Sequence, residues 1–173
     1  MSSLNNLDVA LKYFEEEINY MIEKNRISMF DFFMKNIDVL IDMHKKLHPE
    51  IRACVMSSRI RLTIFEELIC ERKKIIKLKK YYADSISYIF KNSRNTMMPF
   101  VTKYCKKLCK MAHLFKKEIG HLLKNNKSGN IRLIMDNFKK LKHCDKSSLD
   151  LIKKIMVNNK KYGILSKIVN TQV

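Results

Sequence analysis

The sequence predicts a mostly helical bundle with one long helix, followed by a small α/β appendage. Apolar residues recur at spacings of three and four over most of the chain, as they do on one face of an amphipathic helix. The 173 residues include 3 Gly and 2 Pro, too few for the tight turns of a many-stranded sandwich. A composition that is 46% hydrophobic also excludes intrinsic disorder. We therefore expect an all-α domain with a degenerate appendage.

The first two helices are predicted from their apolar stripes. The second helix follows a polar break at residues 24–26, and Ser28 can cap it with Asp31 in the reciprocal position. It should end near His48. The first helix covers residues 6–24, and its stripe comprises Leu7, Leu11, Phe14, Ile18 and Met21.

The third predicted helix is the long one. Pro49 suits its first turn, and neither Gly nor Pro interrupts the chain before Asn92. A helix of about forty residues would span roughly 60 Å at about 1.5 Å per residue, which exceeds a compact bundle of this size. Apolar positions such as Ile86 and Ile89 would then need another surface to cover them, and we expect the chain alone to self-associate.

The remaining elements divide the chain into two parts. Pro99 suits the opening of a fourth helix, so residues 1–124 form the predicted helical domain. Turn-forming residues cluster at 125–130, the predicted linker. Within the final segment, 131–173, Ser147 can cap a helix.

The strand prediction in that final segment rests on residues 162–169, which read as strand-like. We expect no internal repeat.

Positive charge is concentrated in the second two thirds of the chain. The whole sequence carries 35 Lys and Arg against 17 Asp and Glu. Residues 1–50 have a net charge of −3, and residues 51–173 have a net charge of +21. Such a field attracts nucleic acid, an acidic protein face or an anionic membrane, although an AT-rich coding sequence would also favour Lys.

No motif indicates catalysis or a cofactor. The sequence lacks a nucleophile elbow, a phosphate-binding loop and a dinucleotide fingerprint. Cys105, Cys109 and His113 would share one side of a helix, with His143 and Cys144 further on. Structural zinc ligands usually pair across a turn, so buried thiols and a surface His are the simpler interpretation. We predict no enzyme, no metal and no cofactor.

The chain lacks both a signal-peptide layout and an apolar run long enough to cross a membrane. The five Cys are an odd number, which suits a reducing compartment without disulfides. We expect a soluble intracellular protein.

Residues 72–82 read Arg-Lys-Lys-Ile-Ile-Lys-Leu-Lys-Lys-Tyr-Tyr. This order resembles the long-helix signature of a go-ichi-ni-san (GINS) replication-complex subunit, specifically the fourth, whose helical domain precedes a small C-terminal domain. The Phe-x-x-x-Tyr of residues 100–104 is similar to the opening of the family's next helix, and residues 22–24 resemble its opening region. The resemblance covers residues 7–123. It implies an interface comprising Arg72, Lys74, Ile75, Lys77, Leu78, Lys80, Tyr81, Tyr82, Phe100 and Tyr104.

The resemblance also implies a function. Such a subunit is a non-catalytic nuclear scaffold in a heterotetramer with sister GINS subunits. The tetramer supports DNA replication by binding the MCM helicase ring and its RecJ-like companion, with at most a weak contact with DNA and none with membrane. Two alternatives remain open: a small basic helical nucleic-acid-binding protein, and a helical adaptor with no role in replication.

Overall fold

The computed structural model describes residues 2–57, 59–158 and 161–171. These residues form eleven helices and no strand, so the all-α prediction is confirmed. The helices are α1 Ser2–Glu23, α2 Ile27–Lys35, α3 Ile37–Met56, α4 Leu62–Cys70, α5 Arg72–Lys91, α6 Met97–Lys103, α7 Cys105–Lys124, α8 Ser128–Asp136, α9 Phe138–Leu141, α10 Lys146–Met156 and α11 Tyr162–Thr171.

The helices break at regular intervals of 11 residues. From position 14 to 47, and again from 71 to 137, each break lies 11 positions after the one before. The non-helical residues are Phe14, Asn36, Leu47, Glu71, Tyr82, Tyr104, Phe115 and Asn137, and those with positive φ are Asn25, Ser93 and Asn126.

Three such intervals make one structural repeat. Each repeat begins with a short helix, the first segment, which ends at a break residue. A long helix follows, and a kink divides it into a second and a third segment. The described residues contain four repeats, at 26–57, 61–93, 94–126 and 127–158.

The two ends of the chain extend the same pattern. Helix α1, kinked at Phe14, supplies a second and a third segment ahead of the first repeat. Helix α11 supplies a first segment after the fourth. In the fourth repeat, a turn at residues 142–145 divides the long helix into α9 and α10. A period of about 33 residues built from two helices is typical of repeat proteins.

Equivalent positions in the repeats hold equivalent core residues. The fourth position of every third segment is a fully buried isoleucine, and the fourth position of every second segment in the repeats is a fully buried leucine or isoleucine. These residues are Ile18, Ile51, Ile86, Ile119 and Ile152 in the third segments, and Leu40, Ile75, Leu108 and Leu141 in the second.

The long helices stack side by side in parallel. Near the starts of α5 and α7, the Cys105 thiol donates to the Lys74 carbonyl at 3.6 Å. Towards their ends, the Ser85 hydroxyl donates to the Gly120 carbonyl at 2.9 Å. The starts of α5 and α7 are therefore adjacent, and so are their ends, which means that the two helices run in the same direction.

For α1 and α3, Tyr13 and His44 meet in the middle of the helices, and Tyr20 and Met56 meet towards their ends. For α3 and α5, Lys46 and Lys79 meet in the middle, and Ser57 and Ser93 meet just after the helix ends. The order of these contacts is again that of parallel helices.

The short helices contact their counterparts in the next repeat in the same way. The rings of Phe32 in α2 and Phe65 in α4 lie 5.2 Å apart. The Thr102 hydroxyl of α6 donates to the Glu67 carboxylate of α4 at 2.9 Å. Each repeat therefore packs on its neighbours, which is the arrangement of an α-solenoid. The expectation of no internal repeat was wrong.

The long third helix of the prediction is divided among three helices in the structure: the end of α3, then α4 and α5. Ser57 adopts an extended backbone, with φ −82° and ψ 125°, and ends α3. Helix α4 begins at Leu62, and Glu71 separates it from α5. The apolar spacing continues across the turn because every repeat buries the same face. Ile86 and Ile89 are 0% and 1% exposed, so the chain itself covers them.

The C-terminal strand prediction was also wrong, because residues 162–169 lie in α11. The predicted linker is a turn followed by the start of α8, and it is equivalent to the turns at Asn25 and Ser93. One hydrophobic core continues across this turn and reaches Val169. The C-terminal segment is thus an extension of the solenoid.

Two predicted caps are replaced by other contacts. Ser28 lies inside α2, whose N-cap is Arg26 without a side-chain cap. The Arg26 guanidinium instead donates to the carbonyls of Val55 and Ser57 at the end of α3. At α10, Asp145 and not Ser147 is the cap, accepting from the Ser148 amide at 2.7 Å.

Pro49 has a different role from the predicted one. It lies inside α3, two residues after the kink at Leu47. A proline ring in a straight helix clashes with the carbonyl four residues earlier, here that of Lys45. The kink falls between the two residues and relieves that clash.

Candidate functional site

Exposed lysines occupy equivalent positions on three successive repeats. Counted from the first residue of the second segment, Arg72 in α5 and Cys105 in α7, the second, third and sixth positions are exposed lysines. In α9, counted from Phe138, the second and third positions are exposed lysines. We call this set the lysine ladder: Lys73, Lys74 and Lys77 in α5, Lys106, Lys107 and Lys110 in α7, and Lys139 and Lys140 in α9.

The first repeat carries the opposite charge at these positions. Asp38 and Asp42 of α3 are exposed and stand where Lys106 and Lys110 stand in α7. The ladder therefore begins at the second repeat. The aliphatic residue that follows each lysine pair is buried, so the two lysines before it lie on the outside of the stack.

Packing of the long helices brings the ladder rows together. The Tyr82 hydroxyl of α5 donates to the Leu108 carbonyl of α7 at 2.7 Å. Burial of this phenol raises the pKa of Tyr82 above its ordinary value. The Phe138 ring of α9 lies 6.0 Å from the ring of His113 and 6.3 Å from that of Phe115 in α7. Helices α5, α7 and α9 are thus neighbours in that order.

Acidic partners of the ladder are few. Lys74 pairs with Glu71 at 3.0 Å, and both side chains are partly exposed, at 49% and 34%. Among the residues that the structure describes, no other ladder lysine forms a salt bridge. The second segment of α7, residues 105–115, contains neither Asp nor Glu. The positive charge of the ladder is therefore largely uncompensated.

Three cations surround the half-buried Tyr104 at the edge of the ladder. The Lys103 ammonium lies 5.3 Å from the ring centroid, the Lys107 ammonium 5.9 Å and the Arg132 guanidinium 5.7 Å. Each distance is within the range of a cation–π contact. The ring thus holds three positive charges together and adds to the local potential.

A shallow groove of about 450 Å³ runs between α5 and α7 beside the ladder. A Cβ at Gly120 would lie 3.1 Å from the Ser85 hydroxyl, so a glycine here allows the two helices to approach closely. The groove is mainly basic, and its charged lining residues are Lys79, Lys80, Asp84, Lys116, Lys117, His121 and Lys124.

Two buried carboxylates connect the N-terminal long helices. Glu17 of α1 is 2% exposed, and the His48 ring of α3 lies 2.8 Å from it. Glu50 of α3 is fully buried, and the Lys79 ammonium of α5 lies 2.8 Å from it. Glu17 and Glu50 occupy the same repeat position, and each contacts the next long helix. These pairs therefore hold successive long helices of the stack together.

A surface ion pair accompanies them. Arg52 of α3 donates to Glu16 of α1, and both side chains are exposed. This hydrogen bond and the charge of the guanidinium hold the pKa of Glu16 below its ordinary value.

The ten residues of the predicted interface divide between core and surface. Ile75, Leu78 and Tyr82 are at most 3% exposed, and Phe100 is 8% exposed, so they pack within the chain. An interface role for these four conflicts with their burial. The accessible members, for which that role stays a prediction, are Lys74, Lys77, Lys80 and Tyr81, together with the half-buried Arg72 and Tyr104.

The residues considered as metal ligands have other contacts. Burial raises the pKa of the Cys105 thiol to about 11, and this thiol bonds a backbone carbonyl. One ring nitrogen of His113 lies 2.7 Å from the Lys110 carbonyl oxygen. No group of three or more potential metal ligands occurs within 2–57, 59–158 and 161–171.

His44 and His48 are partly buried. Their rings lie 4.5 Å apart and also pack against Phe14. They therefore help to join α1 to α3.

No family model, curated protein or solved structure matches the chain. In addition, none of the described helices combines the length and apolar character needed to cross a membrane.

The lysine ladder was not predicted from the sequence because the repeat was not recognised there. Its signal was a Lys-Lys-aliphatic triplet that recurs at 73–75, 106–108 and 139–141, with a spacing of 33 residues, or one repeat, each time. The isoleucines of the third segments show nearly the same period.

Proposed function

We propose that this chain is a non-catalytic scaffold that binds a negatively charged macromolecule. The observation that carries the proposal is the parallel stack of repeats with a lysine ladder on its surface. Solenoids present extended binding surfaces because every repeat adds an equivalent strip of surface. The buried Glu17, Glu50 and Cys105 and the partly buried His44 and His48 are engaged in packing and in joining long helices, which supports a structural role for these groups.

A scaffold subunit of the GINS complex is the more specific form of this proposal. Its support is the order of the basic, aliphatic and aromatic positions in residues 72–82. The repeat offers another reason for part of that order, since Lys-Lys-Ile at 73–75 matches Lys-Lys-Leu at 106–108. The sister subunits, the MCM ring, the RecJ-like companion and the nuclear location all depend on this form.

Affinity purification of the tagged full chain from its native cells, after mild cross-linking, tests both forms. A stoichiometric set of GINS subunits, lost when Arg72 and Lys77 are both changed to Glu, supports the specific form. A polyanionic partner without those subunits supports only the general form. A small-molecule substrate that the purified chain turns over would contradict both.

A further inference from the structure

We infer that the lysine ladder is a binding surface for the phosphate backbone of nucleic acid. The inference deepens the proposed scaffold function by naming the chemistry of the partner. It depends on that function only in requiring a macromolecular ligand.

The geometry suits a ligand with regularly spaced negative charges. The ladder occupies equivalent positions on α5, α7 and α9, which pack in that order. Packed helices lie about 8–10 Å apart, so the ladder presents rows of charge at a regular separation. A nucleic-acid strand carries one charge per nucleotide along its whole length, and a duplex carries about one per 1.7 Å of axis.

The electrostatics favour an anion at this surface. Among the residues that the structure describes, Lys74 alone in the ladder has an acidic partner, and that pair is partly exposed to solvent. Lys103, Lys107 and Arg132 share the Tyr104 ring at one edge, which adds two cations to the ladder's own. Bringing so many like charges together destabilises the free protein, and a polyanion relieves that repulsion.

The residue types favour nucleic acid over an acidic protein. Every ladder position is Lys, whereas protein interfaces are enriched in Arg and aromatic residues and depleted in Lys. A lysine ammonium acts as a point charge toward phosphate. Contacts to phosphate carry no sequence information, so binding should depend little on base sequence.

The surface lacks the apolar component of a membrane-binding face. Interfacial binding to lipid requires exposed apolar side chains beside the cations. The ladder lies on the second segments of α5, α7 and α9. Among the described residues, the large exposed apolar side chains lie outside these segments, except Tyr81 near the end of the second segment of α5. They are Val9, Tyr13, Ile22, Ile27, Leu62, Tyr81, Tyr88, Leu151, Val157 and Ile164.

The test measures affinity of the full chain for a fluorescent 20-base-pair DNA duplex by anisotropy, across a salt series. Single-stranded DNA, polyglutamate and phosphatidylserine vesicles serve as comparison probes. The ladder variant is K73E/K106E/K139E, with one substitution in each repeat. The matched control is K24E/K91E/K154E. It makes the same change in net charge, but on exposed lysines in or just after third segments, outside the ladder.

The wild type should bind both DNA probes, with an affinity that falls steeply as salt rises. The ladder variant should lose at least about tenfold in affinity, and its salt slope should fall by about three, close to 0.9 for each lost phosphate contact. The control should keep its slope within about one of the wild type. Circular dichroism and urea unfolding of all three proteins exclude misfolding as the cause.

Three results would overturn the inference. One is no DNA binding by the wild type at low salt. Another is an equal loss in the ladder and control variants, which would mean that only net charge matters. The third is ladder-dependent binding that is tighter to polyglutamate or vesicles than to DNA. That third result would replace the partner class while leaving the scaffold proposal intact. The scaffold proposal fails if native purification recovers no macromolecular partner, or if the purified chain turns over a small-molecule substrate.

Discussion

The first and third repeats share their buried positions and differ in the charge that they expose. Ile51 and Ile119 are both fully buried at the same position of the third segment. On the surface, Asp38 of the first repeat corresponds to Lys106 of the third, and Asp42 corresponds to Lys110. The core positions therefore define the fold, and the exposed positions of the second segments are where the repeats differ in charge.

The contact between Glu50 of the first repeat and Lys79 of the second should be the most sensitive to mutation. Changing Lys79 to Met removes the partner of the fully buried Glu50 and leaves its charge uncompensated. We expect a loss of about 3–5 kcal/mol in the free energy of unfolding, measured with urea. The exposed Glu16–Arg52 pair provides the control, and Glu16→Gln should have a much smaller effect.

The double variant Glu50→Leu with Lys79→Met separates two explanations. Replacing both charges with apolar side chains should recover most of the stability, because the cost of Lys79→Met lies in the unpaired carboxylate. If the double variant is as unstable as Lys79→Met alone, the pair contributes through packing, and the account of this contact is wrong.

The shared core should respond equally in the two regions. Ile51→Ala and Ile119→Ala each remove a fully buried side chain and should each cost about 2–5 kcal/mol in urea unfolding. Ile→Val at the same two positions should cost only about 0.5–1.5 kcal/mol. A large loss at one position and almost none at the other would show that the repeats do not share a core.

The turns allow a finer comparison of the same regions. Asn25 and Asn126 have φ of 52° and 57°, a conformation that Asn tolerates better than Ala. Asn→Ala at either site should lower thermal stability by an amount equivalent to about 1 kcal/mol, while Asn→Gly should be nearly neutral. Destabilisation by Gly equal to that by Ala would argue against a left-handed turn.

The sequence predicted the helices better than their connections. Apolar spacing predicted the first helix and the helical class, since burial of a stripe is a local property of the sequence. The turn after α3 was missed because it contains neither Gly nor Pro, and Ser57 and its neighbours do not interrupt the apolar spacing. Residues 162–169 were read as a strand because a short apolar run fits a buried helix equally well.

The candidate site was only partly predictable. Lys74 and Lys77 were identified as surface residues of interest through the resemblance at residues 72–82. Lys106 and Lys139 were not, because nothing local distinguishes them from other lysines. Their relation to Lys73 is that of equivalent positions in stacked repeats, and this becomes evident only when the 33-residue period is recognised.

Extending the ladder into the first repeat, which carries Asp38 and Asp42 at the ladder positions, tests most directly whether the lysine ladder binds nucleic acid. The variant D38K/D42K places lysines at the ladder positions of α3. The control D31K/E66K makes the same change in net charge on exposed residues of the short helices α2 and α4. The measurement is the slope of log affinity for duplex DNA against log salt concentration.

We predict that D38K/D42K binds duplex DNA more tightly and steepens the slope by about two, close to 0.9 for each added phosphate contact. The control should change the slope by less than about half a unit. Equal changes in the two variants would contradict the account, because binding would then follow net charge and not the position of the lysines in the repeats.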